Sequence, residues 1–156
     1  MSQRITKGSY HIGLTVSSLD ARASFFTKLL GWDEITRDEE YPAIFVSDGT
    51  VMVRLWKAKS APSRPFSKDQ HIGLHHVAFV VESERDLDQL YETISESGVR
   101  VEFSPELLSE GPAKHMMRYE PSGIRNDPFV EQNAVNTEIL EITQAKADER
   151  LDFLLG

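Results

Sequence analysis

The sequence predicts an α+β fold in which one βαβββ pattern is used twice. Three observations carry this. Both halves open with a short β-rich run, a polar cap and an amphipathic helix stopped by glycine; each helix is followed by strand-like segments; and the halves end alike. Residues 10–16 read Tyr-His-Ile-Gly-Leu-Thr-Val, and residues 75–81 read His-His-Val-Ala-Phe-Val-Val. Ser17 and Ser18 are helix-cap candidates in the first half, and Ser83 is the candidate in the second. Apolar residues then recur at helical spacing. Leu19, Ala23, Phe26 and Leu30 form the first stripe, and Leu87, Leu90, Tyr91 and Ile94 form the second. Gly31 and Gly98 are the expected stops.

The strand segments follow in order. In the first half they are Trp32–Arg37, Ala43–Ser47 and Val51–Lys57, with Asp48-Gly49 as a hairpin signal. In the second they are Val99–Phe103, His115–Tyr119 and Thr137–Thr143. The organisation expected is a single domain over 1–156. It has a first module at 8–57, a Ser/Pro/Lys-rich linker at 58–72, a second module at 73–145 and a tail at 146–156.

Composition narrows the chemistry. A chain of 156 residues can bury a sizeable core without staples. It has no cysteine, which excludes disulfides, thiolate nucleophiles and iron–sulfur clusters. Any metal must be held by His, Asp, Glu, Tyr or backbone oxygen, a set suited to Fe(II), Mn(II), Ni(II), Co(II) or Zn(II). The formal net charge of −8 argues against nucleic acid or an anionic membrane as partner. No signal-like segment opens the chain, and no apolar run is long enough for a membrane span. A soluble cytoplasmic protein acting on a small molecule is the expectation, with homodimerisation as its expected assembly.

The ordered motifs resemble the vicinal oxygen chelate superfamily of glyoxalases, bleomycin resistance proteins and extradiol dioxygenases. They are His11-Ile-Gly-Leu-Thr-Val16, Ser24-Phe25-Phe26, Leu30-Gly31-Trp32, His76-Val-Ala-Phe-Val-Val81 and the turn Glu120-Pro121-Ser122-Gly123. The resemblance spans about residues 8–145. It implies curled mixed sheets around a cavity, with a divalent metal held by residues from the first and last strands of the modules.

On that resemblance His11 and His76 are the histidine ligands, since each stands five residues before the valine that ends its strand. The carboxylate is Glu141 or Asp127. Glu141 is favoured because alternation in Thr137–Thr143 turns it inward, whereas Asp127 is followed by Pro128, which cannot donate to a sheet ladder. Arg54 stands where glyoxalase-like members place a fourth ligand, and a guanidinium cannot bind a metal. Arg54 either holds an anionic substrate group or marks a site that has lost its metal. Trp56, on the same side of its strand, is the second substrate-binding candidate, although its position suits packing as well. His115 and Tyr119 are the catalytic candidates for proton transfer and hydrogen bonding. His75 and His71 are expected to face away. Two functions follow: a metal-dependent enzyme on a vicinal-oxygen substrate, with an extradiol-dioxygenase-like enzyme as one form, or a metal-free drug-binding protein of the bleomycin-resistance type.

Overall fold

The computed structural model describes residues 5–6, 8–109 and 111–130. Within them the βαβββ pattern occurs twice. The first module comprises β1 (His11–Val16), α1 (Leu19–Ser24), β2 (Asp33–Asp38), β3 (Ala43–Ser47) and β4 (Met52–Lys57). The second comprises β5 (Val77–Val81), α2 (Glu84–Glu96), β6 (Val101–Leu107), β7 (Lys114–Tyr119) and β8 (Arg125–Val130). The sheets have matching orders, β1-β4-β3-β2 and β5-β8-β7-β6. In each, the first strand runs parallel to the last, and the remaining pairs are antiparallel.

Local chemistry sets the elements. Ser18 caps α1 by accepting from the Ala21 amide, and Ser83 caps α2 by accepting from Asp86. Gly31 and Gly98 take positive φ at the helix stops. Gly49 does so in the hairpin between β3 and β4. The first helix is shorter than its apolar stripe predicts. After Ser24 the chain widens into a π-helical turn, Phe25–Leu29, where the Thr27 hydroxyl donates to the Ala23 carbonyl at 2.9 Å. The wider turn seats both Phe25 and Phe26 in the core.

One apolar core is shared by both modules. Leu14, Val16, Phe26, Trp32, Val53 and Leu55 pack with Val77, Phe79 and Ile124 of the second half. Phe26 and Phe79 meet edge to face at 6.1 Å. A smaller cluster of Leu87, Ile94, Met116 and Val130 lies under α2. The halves are also tied by Arg22, which forms a buried ion pair with Glu120. Glu120 in turn accepts the amides of Ser122 and Ile124, so the Glu-Pro-Ser-Gly turn and α1 are locked together.

The last strand differs from the sequence reading. Thr137–Thr143 lies outside the described residues, and β8 begins two residues after Gly123. Pro128 argued against a strand here. On the β7 side the pairing passes from Arg118↔Asn126 to His115↔Phe129, with no partner for Asp127 or Pro128, while Pro128 stays opposite Phe79 on the parallel β5 side. Among the described residues no helix is long and apolar enough to cross a membrane.

Candidate functional site

Alternation gives each sheet a face covered by helices and an open face. On β1 and β4, Leu14, Val16, Val53 and Leu55 are buried, while His11, Gly13, Thr15, Met52, Arg54 and Trp56 share the other side. The register fixes their neighbours: His11↔Met52, Gly13↔Arg54 and Thr15↔Trp56. The Arg54 guanidinium stands 4.8 Å over the Phe45 ring, and its Nε is buried without a hydrogen-bond partner. Trp56 packs against Tyr41 at 5.0 Å and Phe45 at 5.8 Å. Arg54 and Trp56 thus share an aromatic wall. His11 contacts Tyr10 at 5.7 Å and, among the described residues, makes no hydrogen bond or ion pair.

The second sheet repeats this register. Ala78 pairs with Asp127 as Gly13 pairs with Arg54, and His76 precedes Ala78 by two residues as His11 precedes Gly13. The position matched to Arg54 is therefore held by Asp127. Glu141, the carboxylate favoured on sequence, lies outside the described residues. Asp127 stands between two imidazoles. His115 Nδ1 donates to Asp127 Oδ1 at 3.1 Å, and His76 Nε2 lies 4.0 Å from Oδ2. The Asp127 side chain is only 14% exposed. Burial raises its carboxyl above the ordinary range, outweighing the opposing pull of His115 and His76.

His75 is exposed and meets its chain neighbour His76. Its Nδ1 lies 2.8 Å from His76 Nδ1, so one ring donates to the other. Strand alternation does not apply to this pair, because β5 starts only at Val77. The contact occupies Nδ1 of His76 and leaves Nε2 on the Asp127 side, an orientation suited to a metal-ligating histidine. The His-His dipeptide was the available signal. His71 accepts the Ser67 amide in the linker and takes no part.

Tyr119 is placed elsewhere. Its hydroxyl donates to Glu102 at 2.6 Å, and Arg125 donates to the same carboxylate through Nε and Nη2. The Glu102 contact raises the Tyr119 pKa. His115 alone of the two catalytic candidates touches Asp127.

Two imidazoles and a carboxylate fit the donor chemistry of a divalent metal, and a cation would relieve the desolvated Asp127 carboxylate. Among the described residues, however, no three His, Asp or Glu side chains already stand arranged to hold one.

Two βαβββ modules with matching strand orders are the architecture of a vicinal-oxygen-chelate protein. The family model described as the Glyoxalase/Bleomycin resistance protein/Dioxygenase superfamily matches residues 8–127, and the chain belongs to that superfamily. The matched segment closes on Asp127. The chain is similar to a catechol-2,3-dioxygenase from Bacillus subtilis (strain 168), with 28% identity over 96 residues, 59% of this chain and 33% of that protein. It thus spans a third of the length of the curated relative it matches. A glyoxylase/bleomycin resistance protein/dioxygenase domain from Frankia sp. EAN1pec superposes with a TM-score of 0.71 at 25% identity, covering 81% of this chain and 99% of that one. A lactoylglutathione lyase from Agrobacterium tumefaciens gives 0.63 at 16% identity, covering 81% and 96%. A genomically encoded fosfomycin resistance protein from Listeria monocytogenes gives 0.64 at 18%, covering 83% and 98%. These last two likenesses are of fold.

Proposed function

We propose that the chain is a divalent-metal-dependent enzyme acting on a small substrate with two neighbouring oxygens, of the extradiol-dioxygenase type. The supporting observation is Asp127. It is a desolvated carboxylate flanked by His76 and His115 at the register position matched to Arg54. The likeness to a catechol-2,3-dioxygenase favours a catechol-like substrate.

His76 and Asp127 would hold the metal together with His11, and Asp127 takes the place first given to Glu141. A bound metal supplies Lewis acidity, which makes a coordinated hydroxyl more acidic. His115, held by Asp127, orients its ring and moves a proton at the imidazole. His75 fixes the ring of His76. Arg54 receives an anionic oxygen, and Trp56 and Phe45 flank a planar ring. Fe(II), Mn(II), Ni(II) and Zn(II) all suit the donors.

A metal-free drug-binding protein is the second reading, favoured by the aromatic wall of Tyr41, Phe45 and Trp56. Anaerobic reconstitution with Fe(II), followed by a catechol ring-opening assay, separates the two. Metal-dependent turnover lost in His76→Ala supports the enzyme. Stoichiometric metal without turnover removes the catechol assignment, and absence of metal uptake favours the binding protein.

A further inference from the structure

A cavity of about 800 Å³ lies where the two modules meet the linker. That volume falls in the range of small-molecule sites. Its walls come from the end of β1, the linker, the end of α2 and the Glu-Pro-Ser-Gly turn. None of His11, Arg54, His76, His115 and Asp127 lines it, so it is distinct from the open-face residues. The linker wall is held against the turn. The Phe66 amide donates to the Ser122 carbonyl at 3.3 Å. Gly123, at positive φ, packs so closely that a Cβ there would stand 3.1 Å from the Phe66 carbonyl oxygen.

Three lining residues can donate to an anion: Arg64, His71 and Arg100. All three are exposed. Among the described residues neither guanidinium has a carboxylate partner. The Arg100 guanidinium stands 4.3 Å over the ring of Tyr119, which lines the same cavity. His71 accepts the Ser67 amide through Nδ1 at 3.2 Å, which leaves its ring proton on Nε2 as a donor. Among the described residues Glu120 is the one carboxylate in the wall, and it is buried and taken up by Arg22 and the Ser122 and Ile124 amides. The end of α2 at Ser97 brings about half a negative charge, less than the two guanidiniums supply. The cavity is thus a basic site on a chain of net charge −8.

We propose that this cavity binds an organic carboxylate with an apolar, ring-sized body. The carboxylate takes hydrogen bonds from Arg64 and Arg100, with His71 Nε2 as a further donor. The apolar body lies against Phe66, Val99 and Pro121. Exposed ion pairs contribute little by themselves, so a bare inorganic anion is held weakly. A neutral apolar molecule gains nothing from the guanidiniums, and a cation is repelled by them.

Calorimetric titration of the full chain with 2-naphthoate, its neutral isostere 2-naphthamide and inorganic phosphate tests this. Naphthoate should bind saturably, naphthamide more weakly, and phosphate not measurably. Arg64→Gln and Arg100→Gln should each weaken naphthoate binding by roughly tenfold, the loss of a charged hydrogen-bond partner. Both variants should keep the fold, because the side chains are exposed and carry no ion pair, and circular dichroism checks this. Raising the salt concentration should weaken naphthoate and leave naphthamide unchanged, a second measurement that needs no variant. Absence of naphthoate binding, equal affinity for naphthamide or phosphate, or unchanged naphthoate affinity in either folded variant would overturn the proposal. A loss in Arg54→Gln with none in these two would place the ligand on the open face and overturn it as well.

Discussion

Arg54 and Asp127 occupy the same register position in the two sheets, one opposite Gly13 and the other opposite Ala78. A repeat that places a cation in one copy and a carboxylate in the other has split one structural position between two chemical tasks. Asp127 can serve a metal. Arg54 cannot, and is left to meet an anion.

The choice of carboxylate is tested by comparing Asp127→Asn with Glu141→Gln. Changing groups that only support metal ligands costs about 10–100-fold in affinity. Asp127→Asn should exceed that loss in a metal titration, and Glu141→Gln should fall below it. The reverse order would return the ligand to Glu141.

Asp127 also makes the metal-free protein pH-dependent. Its folded pKa is raised, chiefly by burial. Its protonated form therefore favours folding. That contribution is fully present below the ordinary carboxylate pKa and is lost as pH rises through the folded value. Metal-free Asp127→Asn should melt at a higher temperature than wild type at neutral pH, with the difference vanishing in acid. Thermal melts across pH check this. A mutant that is less stable at neutral pH would show that the carboxylate is structurally paired rather than strained.

Much of this arrangement was legible in sequence, and the failures have identifiable causes. Period-two alternation placed Arg54 with Met52 and Trp56, because β4 buries only Val53 and Leu55. It failed at β8, where Arg125 and Asn126 are adjacent and both buried. Arg125 is tolerated by pairing with Glu102 on β6, and Asn126 donates to the Ile124 carbonyl. The Glu102 partner is 23 residues away in sequence and leaves no local signature, so a polar run with proline argued against a strand. The buried cations Arg22 and Arg118 were hidden in the same way, each looking like an ordinary surface arginine.

The Arg22–Glu120 pair joins α1 to the turn that precedes β8. Removing one partner of a buried pair costs about 3–5 kcal/mol. Glu120→Ala should lose that much in urea denaturation, with added loss from the freed Ser122 and Ile124 amides. A loss below about 1 kcal/mol, the level of an exposed pair, would contradict the burial described.

Arg54→Glu places a carboxylate on the open face at the position matched to Asp127. Affinity for octahedral Ni(II) or Co(II) should rise as a fourth ligand is supplied, while turnover of the native substrate falls. Titration with Ni(II) checks the first half, and unchanged affinity would defeat the assignment of Arg54 to the metal-facing side.

The central claim is one metal shared by matched histidines of the two modules. Its most direct measurement is metal content per chain after anaerobic Fe(II) reconstitution, in wild type, His11→Ala and His76→Ala, with folding verified by circular dichroism. The account expects one metal per wild-type chain and a near-complete loss in each folded mutant. Equal metal content in all three proteins would contradict it.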